Sequence, residues 1–261
     1  MPLVRILRFS LGVSLAAAFA QAPVPLSIAA ASDLQSVLPA LADRFERETG
    51  RRTTLTFGSS GNFFSQIQNG APFDVFFSAD IDYPRRLEAA GLAEPGSVSP
   101  YAIGTIVLWT RNDSGLDLRR GLQVLTDARV RRIAIANPEH APYGRAAVAA
   151  LQHERLYDRV RDKLVLGENI SQAAQFVQSG NAEAGLIARS LARAPALRDS
   201  GTYVDVPAAF YPPIEQAAVV LRASRHKDAA RQFLMFLMRP EIVRAMEDAG
   251  FAAPRAASAK P

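Results

Sequence analysis

Short apolar segments alternate with helical patterns along the first part of the chain, and this alternation limits the fold more than any other feature. The segment "PLSIAAA" at 25–31 predicts a buried strand, and apolar residues recur at helical spacing over 34–50, which ends in Gly50. Strand patterns at 53–60 and 73–80 each precede another helical pattern. Strands that alternate with helices predict βαβ units, and therefore an α/β fold with a largely parallel sheet.

The alternation breaks near the middle of the chain, which indicates two lobes. Apolar runs at 101–110 and 214–221 predict strands that cross between the lobes. We expect residues 21–102 and 214–261 to form lobe 1, and residues 103–213 to form lobe 2. A single, continuous doubly wound domain is the alternative that the pattern leaves open.

The N-terminal segment has the pattern of a secretory signal peptide. Arg5 and Arg8 precede an apolar run, and the residues at 18–20 form an A-x-A cleavage pattern. We expect residues 1–20 to be removed, so that the mature chain begins near Gln21 and is periplasmic, without stable insertion into a membrane. An N-terminal anchor that is not cleaved is the alternative.

Composition excludes several kinds of chemistry. The chain has no Cys and three His, which excludes disulfides, thiolate metal sites and thiol nucleophiles. Its formal net charge of +5 falls to +3 without Arg5 and Arg8, and no basic stripe with interleaved aromatic residues occurs. Nucleic-acid binding is therefore disfavoured. Walker A, GxGxxG and H-E-x-x-H motifs are missing, so we expect no cofactor and no metal catalysis.

One segment is similar to the nucleophile loop of serine hydrolases. The segment "FGSSG" at 57–61 lacks one residue of the G-x-S-x-G spacing. Ser60 would be the nucleophile, and His140 is the one His in a plausible site loop. The sequence favours a protein that is not an enzyme, and a secreted hydrolase stays as a third alternative.

Four loops carry small polar residues between a predicted strand and a predicted helix. They are "ASDL" at 31–34, "GSSGNFF" at 58–64, "NPEHAPYG" at 137–144 and "GENISQAAQFV" at 167–177. In α/β folds ligands bind at the carboxyl ends of the strands, where helix N-termini present unpaired N–H groups. Backbone amides and Ser hydroxyls together suit a fully ionised tetrahedral oxyanion. Each Ser taken alone is also explained as an ordinary helix N-cap.

Five segments match, in order, the motifs of one known family. They are "AAASDL" (29–34), "FGSSGNFFSQIQNGAPFDVFFSAD" (57–80), "IANPEHAPYGRAA" (135–147), "GENISQAAQFVQSGNAEAGLI" (167–187) and "FLMRPEIVRAMEDAGF" (236–251). They span nearly the whole mature chain. The chain therefore resembles the periplasmic molybdate-binding proteins of ABC importers, which have the type II periplasmic binding protein fold.

The resemblance implies a fold and a binding site. It implies two lobes, each a mixed, mostly parallel sheet flanked by helices, that close on the ion in the cleft. It implies that Ser32 and Ser60 bind the oxyanion through hydroxyl and backbone donors. Tyr143 and Ile170 would bind it mainly through backbone N–H groups. These four residues would reach the molybdenum only through the molybdate oxygens.

The resemblance also implies a ligand and a partner protein. We expect a monomer that captures molybdate and delivers it to the permease of an ABC importer. Tungstate has nearly the same size and charge, so we expect it to bind as well. A carrier of another oxyanion, such as sulfate or thiosulfate, is the main alternative.

One position departs from the family pattern. Some members have a Tyr after the "GLI" strand, and its hydroxyl reaches the ion, whereas this chain has Ala188. Tyr143 is a candidate for the missing donor. Whether its hydroxyl or only its amide contacts the ion is open from the sequence.

Overall fold

The computed structural model describes residues 24–254. The predicted signal peptide, residues 1–20, lies outside the described residues. None of the helices within 24–254 is long and apolar enough to cross a membrane.

The strands form largely where apolar runs predict them. Across the described residues they are β1 (Leu26–Ala31), β2 (Thr53–Gly58), β3 (Val75–Ser78), β4 (Ser99–Gly104), β5 (Ile106–Arg111), β6 (Ile133–Ala136), β7 (Leu164–Gly167), β8 (Ala184–Ala188), β9 (Gly201–Asp205) and β10 (Ile214–Val220). The sequence patterns do not predict β9. Its side chains are mostly exposed or half-buried, so it lacks an apolar signal.

The α-helices follow the predicted helical patterns, with several short additions. They are α1 (Leu38–Thr49), α2 (Ser60–Gln68), α3 (Asp82–Ala89), α4 (Pro142–His153), α5 (Tyr157–Val160), α6 (Ile170–Gln178), α7 (Arg189–Arg193), α8 (Pro195–Arg198), α9 (Lys227–Leu237) and α10 (Pro240–Asp248). The helix predicted from residue 34 is in two pieces, because a 3₁₀ helix at Ser32–Ser36 precedes α1. Pro39 lies in the first turn of α1, and its missing N–H prevents the α-helical bonds from continuing backwards.

Two five-stranded sheets confirm the α/β, two-lobed architecture. The first has the strand order β2-β1-β3-β10-β4 and the second has the order β7-β6-β8-β5-β9. We call the first sheet with its helices lobe 1, and the second sheet with its helices lobe 2. Each sheet has two parallel and two antiparallel pairings, so the antiparallel share is larger than predicted.

The single strand predicted at 101–110 is wrong, because β4 and β5 belong to different sheets. Only Thr105 separates them, and residues on both sides are apolar, so hydropathy does not reveal the break. The chain returns to lobe 1 at β10, directly after Pro212 and Pro213. These two crossovers are where the lobes are joined.

Aromatic packing fixes the helices on the sheet of lobe 1. The ring of Phe45 in α1 packs edge-to-face against Phe233 and Phe236 of α9, at centroid distances of 4.9 and 5.5 Å. All three side chains are buried. Burial of each such side chain contributes about 1.5–3 kcal/mol of stability. In lobe 2 the fully buried Trp109 of β5 belongs to the corresponding core. The strands therefore hold the loops at their carboxyl ends in fixed positions.

Candidate functional site

The four residues predicted to bind the oxyanion line one small cavity between the lobes. Its lining comprises Ala31, Ser32, Asp33, Gly58, Ser59, Ser60, Ala79, Ala141, Pro142, Tyr143 and Ile170. The cavity has a volume of about 10 Å³ in this closed arrangement. The structure thus brings together residues that lie up to 138 positions apart in the sequence, from Ser32 to Ile170.

Lobe 1 supplies two serines because β1 and β2 are parallel neighbours. Ala31 pairs with Gly58, so both strands end at the same edge of the sheet. Ser32 then opens the 3₁₀ helix, and Ser60 is the first residue of α2. The Ser60 hydroxyl accepts a hydrogen bond from the Ala79 N–H at 2.9 Å. Its own proton remains available for a ligand in the cavity, because a hydroxyl can accept and donate at the same time.

Ser59, and not Ser60, has the role of an N-cap. The Ser59 hydroxyl accepts from the Asn62 N–H at 3.4 Å, as expected for the residue that precedes a helix. The ordinary capping explanation therefore holds for Ser59. It does not account for Ser60, which is buried and lines the cavity.

Lobe 2 supplies two helix N-termini in the same way. Strands β6 and β7 are parallel and pair Ala136 with Gly167, and the loops that follow them lead into α4 and α6. Tyr143 is the second residue of α4, directly after Pro142, which has no N–H. Ile170 is the first residue of α6. First-turn amides have no partner within their own helix, so these two can serve a ligand.

Asn169 caps α6 and fixes the direction of its first turn. Its side chain accepts from the Gln172 N–H at 3.0 Å. Its backbone is extended, with φ −149° and ψ 176°. Ile170, the first residue of this helix, is one of the residues that line the cavity, and its apolar side chain belongs to the core of lobe 2.

Among the described residues that line this cavity there is no Arg or Lys, and Asp33 alone has a carboxyl side chain. Asp33 is completely buried. Its Oδ2 accepts hydrogen bonds from the Tyr143 hydroxyl at 2.9 Å and from Gln216 Nε2 at 2.6 Å. Burial raises the pKa of Asp33 to about 6. The sequence analysis did not single out Asp33, whose one signal is its place directly after Ser32.

The bond to Asp33 bears on the role of the Tyr143 side chain. Its hydroxyl donates a hydrogen bond to Asp33, which leaves the backbone N–H as the Tyr143 donor that a ligand could use. Ala188 is buried at the end of β8 and is not part of the lining. Tyr143 therefore does not replace, through its hydroxyl, the donor that Ala188 lacks.

Hydrogen bonds join the lobes around the cavity, so the structure is a closed form. The Gly61 N–H of lobe 1 donates to the His140 carbonyl of lobe 2 at 2.9 Å. The Ser59 hydroxyl shares a hydrogen bond with His140 Nδ1 at 2.9 Å. Farther along the cleft, the Ser171 hydroxyl donates to Gln35 at 2.7 Å.

The same contacts argue against the serine hydrolase alternative. That alternative requires His140 to act as a base on Ser60. His140 bonds instead to Ser59, and the Ser60 oxygen is bonded to the Ala79 amide. The proposed nucleophile and base are therefore not paired.

A wider groove of about 390 Å³ lies beside the cavity and also touches both lobes. Its lining includes Asp80 and Arg145, which form an ion pair across the lobes. Because these two charges neutralise each other, we expect the groove to bind an anion less strongly than the small cavity with its neutral donors.

Known proteins are similar to this chain over most of its length. Residues 26–252 match the family model described as bacterial extracellular solute-binding protein. The chain is 38% identical to the molybdate-binding protein ModA of Azotobacter vinelandii, over 93% of this chain and 95% of that protein. It is 39% identical to ModA of Rhodobacter capsulatus, over 79% and 80% of the two chains.

A solved structure shows the same fold. The periplasmic molybdate-binding protein of Azotobacter vinelandii superimposes with a TM-score of 0.83 at 36% identity, over 88% of this chain and all of that chain. Residues 26–252, which match the family model, contain both lobes and the four loops around the cavity. The chain therefore belongs to the family of bacterial extracellular solute-binding proteins.

Proposed function

We propose that this protein captures molybdate, and also tungstate, in the periplasm and delivers the ion to the permease of an ABC importer. The observation that carries the proposal is the convergence of neutral donors from both lobes on one buried cavity. Relatives at 38% and 39% identity are molybdate-binding proteins. We further propose that the protein acts as a monomer and is not an enzyme.

The donors suit a dianion that carries no proton. We propose that Ser32 and Ser60 donate through their hydroxyls and that Tyr143 and Ile170 donate through their amides. The N-terminal ends of α2, α4 and α6 add partial positive charge on three sides. Such donors stabilise an anion without a fixed cation that would slow its release.

Opening of the lobes would admit the ion. We propose that lobe 1, with strands β1–β4 and β10, and lobe 2, with strands β5–β9, rotate about the crossovers at Thr105 and Pro212–Pro213. The cavity volume of about 10 Å³ is room for roughly one water-sized group. A tetrahedral oxyanion is larger, so the lobes would settle around it slightly farther apart than they are here.

Thermal unfolding tests the proposal. For the chain without residues 1–20, molybdate at about 100 times its dissociation constant should raise the free energy of unfolding by about 2.7 kcal/mol. This corresponds to a rise in Tm of about 5–10 °C. Tungstate should act alike, and sulfate should have little effect.

The outcomes of this test separate the alternatives. A larger rise with sulfate or thiosulfate than with molybdate would favour a carrier of those anions. If no oxyanion raised the Tm, the proposed function would be wrong.

Replacing Ser32 by Ala should weaken molybdate binding by about 1–3 kcal/mol, because a donor facing a charged ligand is lost. Ser36→Ala is the matched control, since Ser36 lies in the same 3₁₀ helix but outside the cavity lining. Calorimetric titration of both variants measures the difference. Wild-type affinity in Ser32→Ala would remove Ser32 from the site.

A further inference from the structure

Asp33 is one of the residues that line the proposed anion site, and its carboxyl group has no cationic partner among the described residues. The residue is fully buried, and both hydrogen bonds from neighbouring side chains go to Oδ2. Oδ1 is buried and has no hydrogen-bond partner within the described residues. A site for a dianion would ordinarily exclude such a group, because like charges repel strongly where water is absent.

Neutral groups surround this carboxyl. Tyr143 of α4 and Gln216 of β10 donate to it, and the Tyr101 hydroxyl of β4 holds Gln216 by donating to Gln216 Oε1 at 2.6 Å. The Ser190 hydroxyl of α7 donates to the backbone carbonyl of Asp33 at 2.8 Å. Side-chain donors therefore fix Oδ2, and the proton of a neutral carboxyl would lie on Oδ1, which has no hydrogen-bond partner within the described residues. The backbone amides of Asp33 and Leu34 act in the same direction as the side-chain donors and lower the pKa of the carboxyl, but burial has the larger effect and raises it.

The charged groups on the elements that pack around Asp33 do not form ion pairs with it. Arg145 of α4 pairs with Asp80, and Arg189 of α7 pairs with Asp205. Arg193 of α7 is exposed, and Glu215 precedes Gln216 on β10 in a half-buried position. The charges of α1 lie on its solvent side, and β1, β2 and α6 carry none. Among residues 24–254, no Lys, Arg or His forms an ion pair with Asp33.

We propose that the charge of Asp33 limits the affinity of the site, and that a bound dianion requires Asp33 to be neutral, with its proton on Oδ1. The proposal rests on the proposed function. Protonation at Oδ1 leaves the bonds from Tyr143 and Gln216 to Oδ2 in place, so the closed form needs no rearrangement. Above the pH at which Asp33 ionises, binding therefore takes up one proton.

The sign of the pH dependence follows from burial. In the closed form burial raises the pKa of Asp33 to about 6, so in a closed site without ligand the carboxyl is largely ionised at about pH 8 and about half neutral at about pH 6. A dianion in the cavity raises this pKa further. The affinity should then fall by up to about tenfold per pH unit above about pH 6, and level off below it.

Calorimetric titration with molybdate at about pH 6 and about pH 8 tests the proposal, because molybdate stays a dianion over this range. Wild-type affinity should fall about 10- to 100-fold between the two, whereas Asp33→Asn should change by less than about threefold. Asp33→Asn should also bind more tightly than the wild type at about pH 8. Titration at about pH 7.5 in two buffers of different ionisation enthalpy measures the proton uptake. The wild type should take up close to one proton per bound ion, and Asp33→Asn should take up none.

Asp74→Asn is the matched control. Asp74 is a second buried carboxyl in lobe 1, bonded to the Ser27 amide and the Ser224 hydroxyl, and it precedes β3 at the opposite edge of the sheet. This variant should keep the pH dependence of the wild type.

The results of these titrations distinguish a failure of the Asp33 proposal from a failure of the proposed function. Wild-type affinity that is equal at both pH values, with no proton uptake, would overturn the role of Asp33 and leave the proposed function standing. The proton count comes from the wild type alone, so it decides the question even if Asp33→Asn does not fold. If the wild type failed to bind at either pH, the proposed function itself would be wrong, and the role of Asp33 with it.

Discussion

Replacing Gly61 by Ala should weaken molybdate binding by about 10- to 100-fold, because it blocks closure of the lobes. A Cβ on Gly61 would lie 2.7 Å from the His140 carbonyl oxygen and 2.9 Å from its Cα. Both are backbone atoms of the opposite lobe and cannot turn aside. Overpacking of this kind costs about 1–3 kcal/mol, and only the closed form bears that cost.

The same substitution should leave the lobes themselves stable. Gly61 lies in α2, where Ala is the better helix former by about 1 kcal/mol. Urea unfolding without ligand should therefore show equal or slightly higher stability, whereas titration shows the loss of affinity. Gln66→Ala, on the exposed side of α2, is the control and should behave as the wild type. Normal affinity in Gly61→Ala would mean that the bound form does not bring Gly61 and His140 together.

Replacing Ile170 by Pro should also reduce affinity by about 10- to 100-fold, because it removes one backbone donor. A hydrogen bond to a charged group contributes about 1.5–3 kcal/mol. Ile170 is the first residue of α6, where Pro is well tolerated. The preceding Asn169 is already extended, as a residue before Pro prefers to be. The change therefore removes an N–H with little disturbance of the helix.

Ile170→Val is the matched control for the amide. It keeps the N–H and removes one buried methylene, so its affinity should stay within about threefold of the wild type, at a stability cost of about 0.5–1.5 kcal/mol. Circular dichroism and thermal unfolding confirm that both variants fold. Equal affinity of Ile170→Pro and Ile170→Val would show that the Ile170 amide does not bind the ion.

The sequence predicted that four residues lie together at one cavity, because the signals for this convergence are local. Their binding of an oxyanion stays a prediction. Each of Ser32, Ser60, Tyr143 and Ile170 stands at a junction between a strand and a helix, and parallel pairing of the strands brings such junctions together. Hydropathy could not find the break at Thr105, since apolar residues flank it on both sides.

The role of Asp33 depends on contacts that are distant in sequence. Its partners Tyr143 and Gln216 lie 110 and 183 positions away, and nothing in the loop "ASDL" indicates them. From the sequence alone, a carboxyl beside a serine at a helix start is explained by capping. Only the fold shows that this carboxyl is buried and bonded to residues of both lobes.

Parallel calorimetric titrations of the chain without residues 1–20 with molybdate, tungstate and sulfate test the central claim most directly. We predict one saturable site with a dissociation constant of about 1 μM or below for molybdate and tungstate. Sulfate should bind at least about 100-fold more weakly, a difference of about 2.7 kcal/mol. Absence of molybdate binding, or tighter binding of sulfate than of molybdate, would contradict the account.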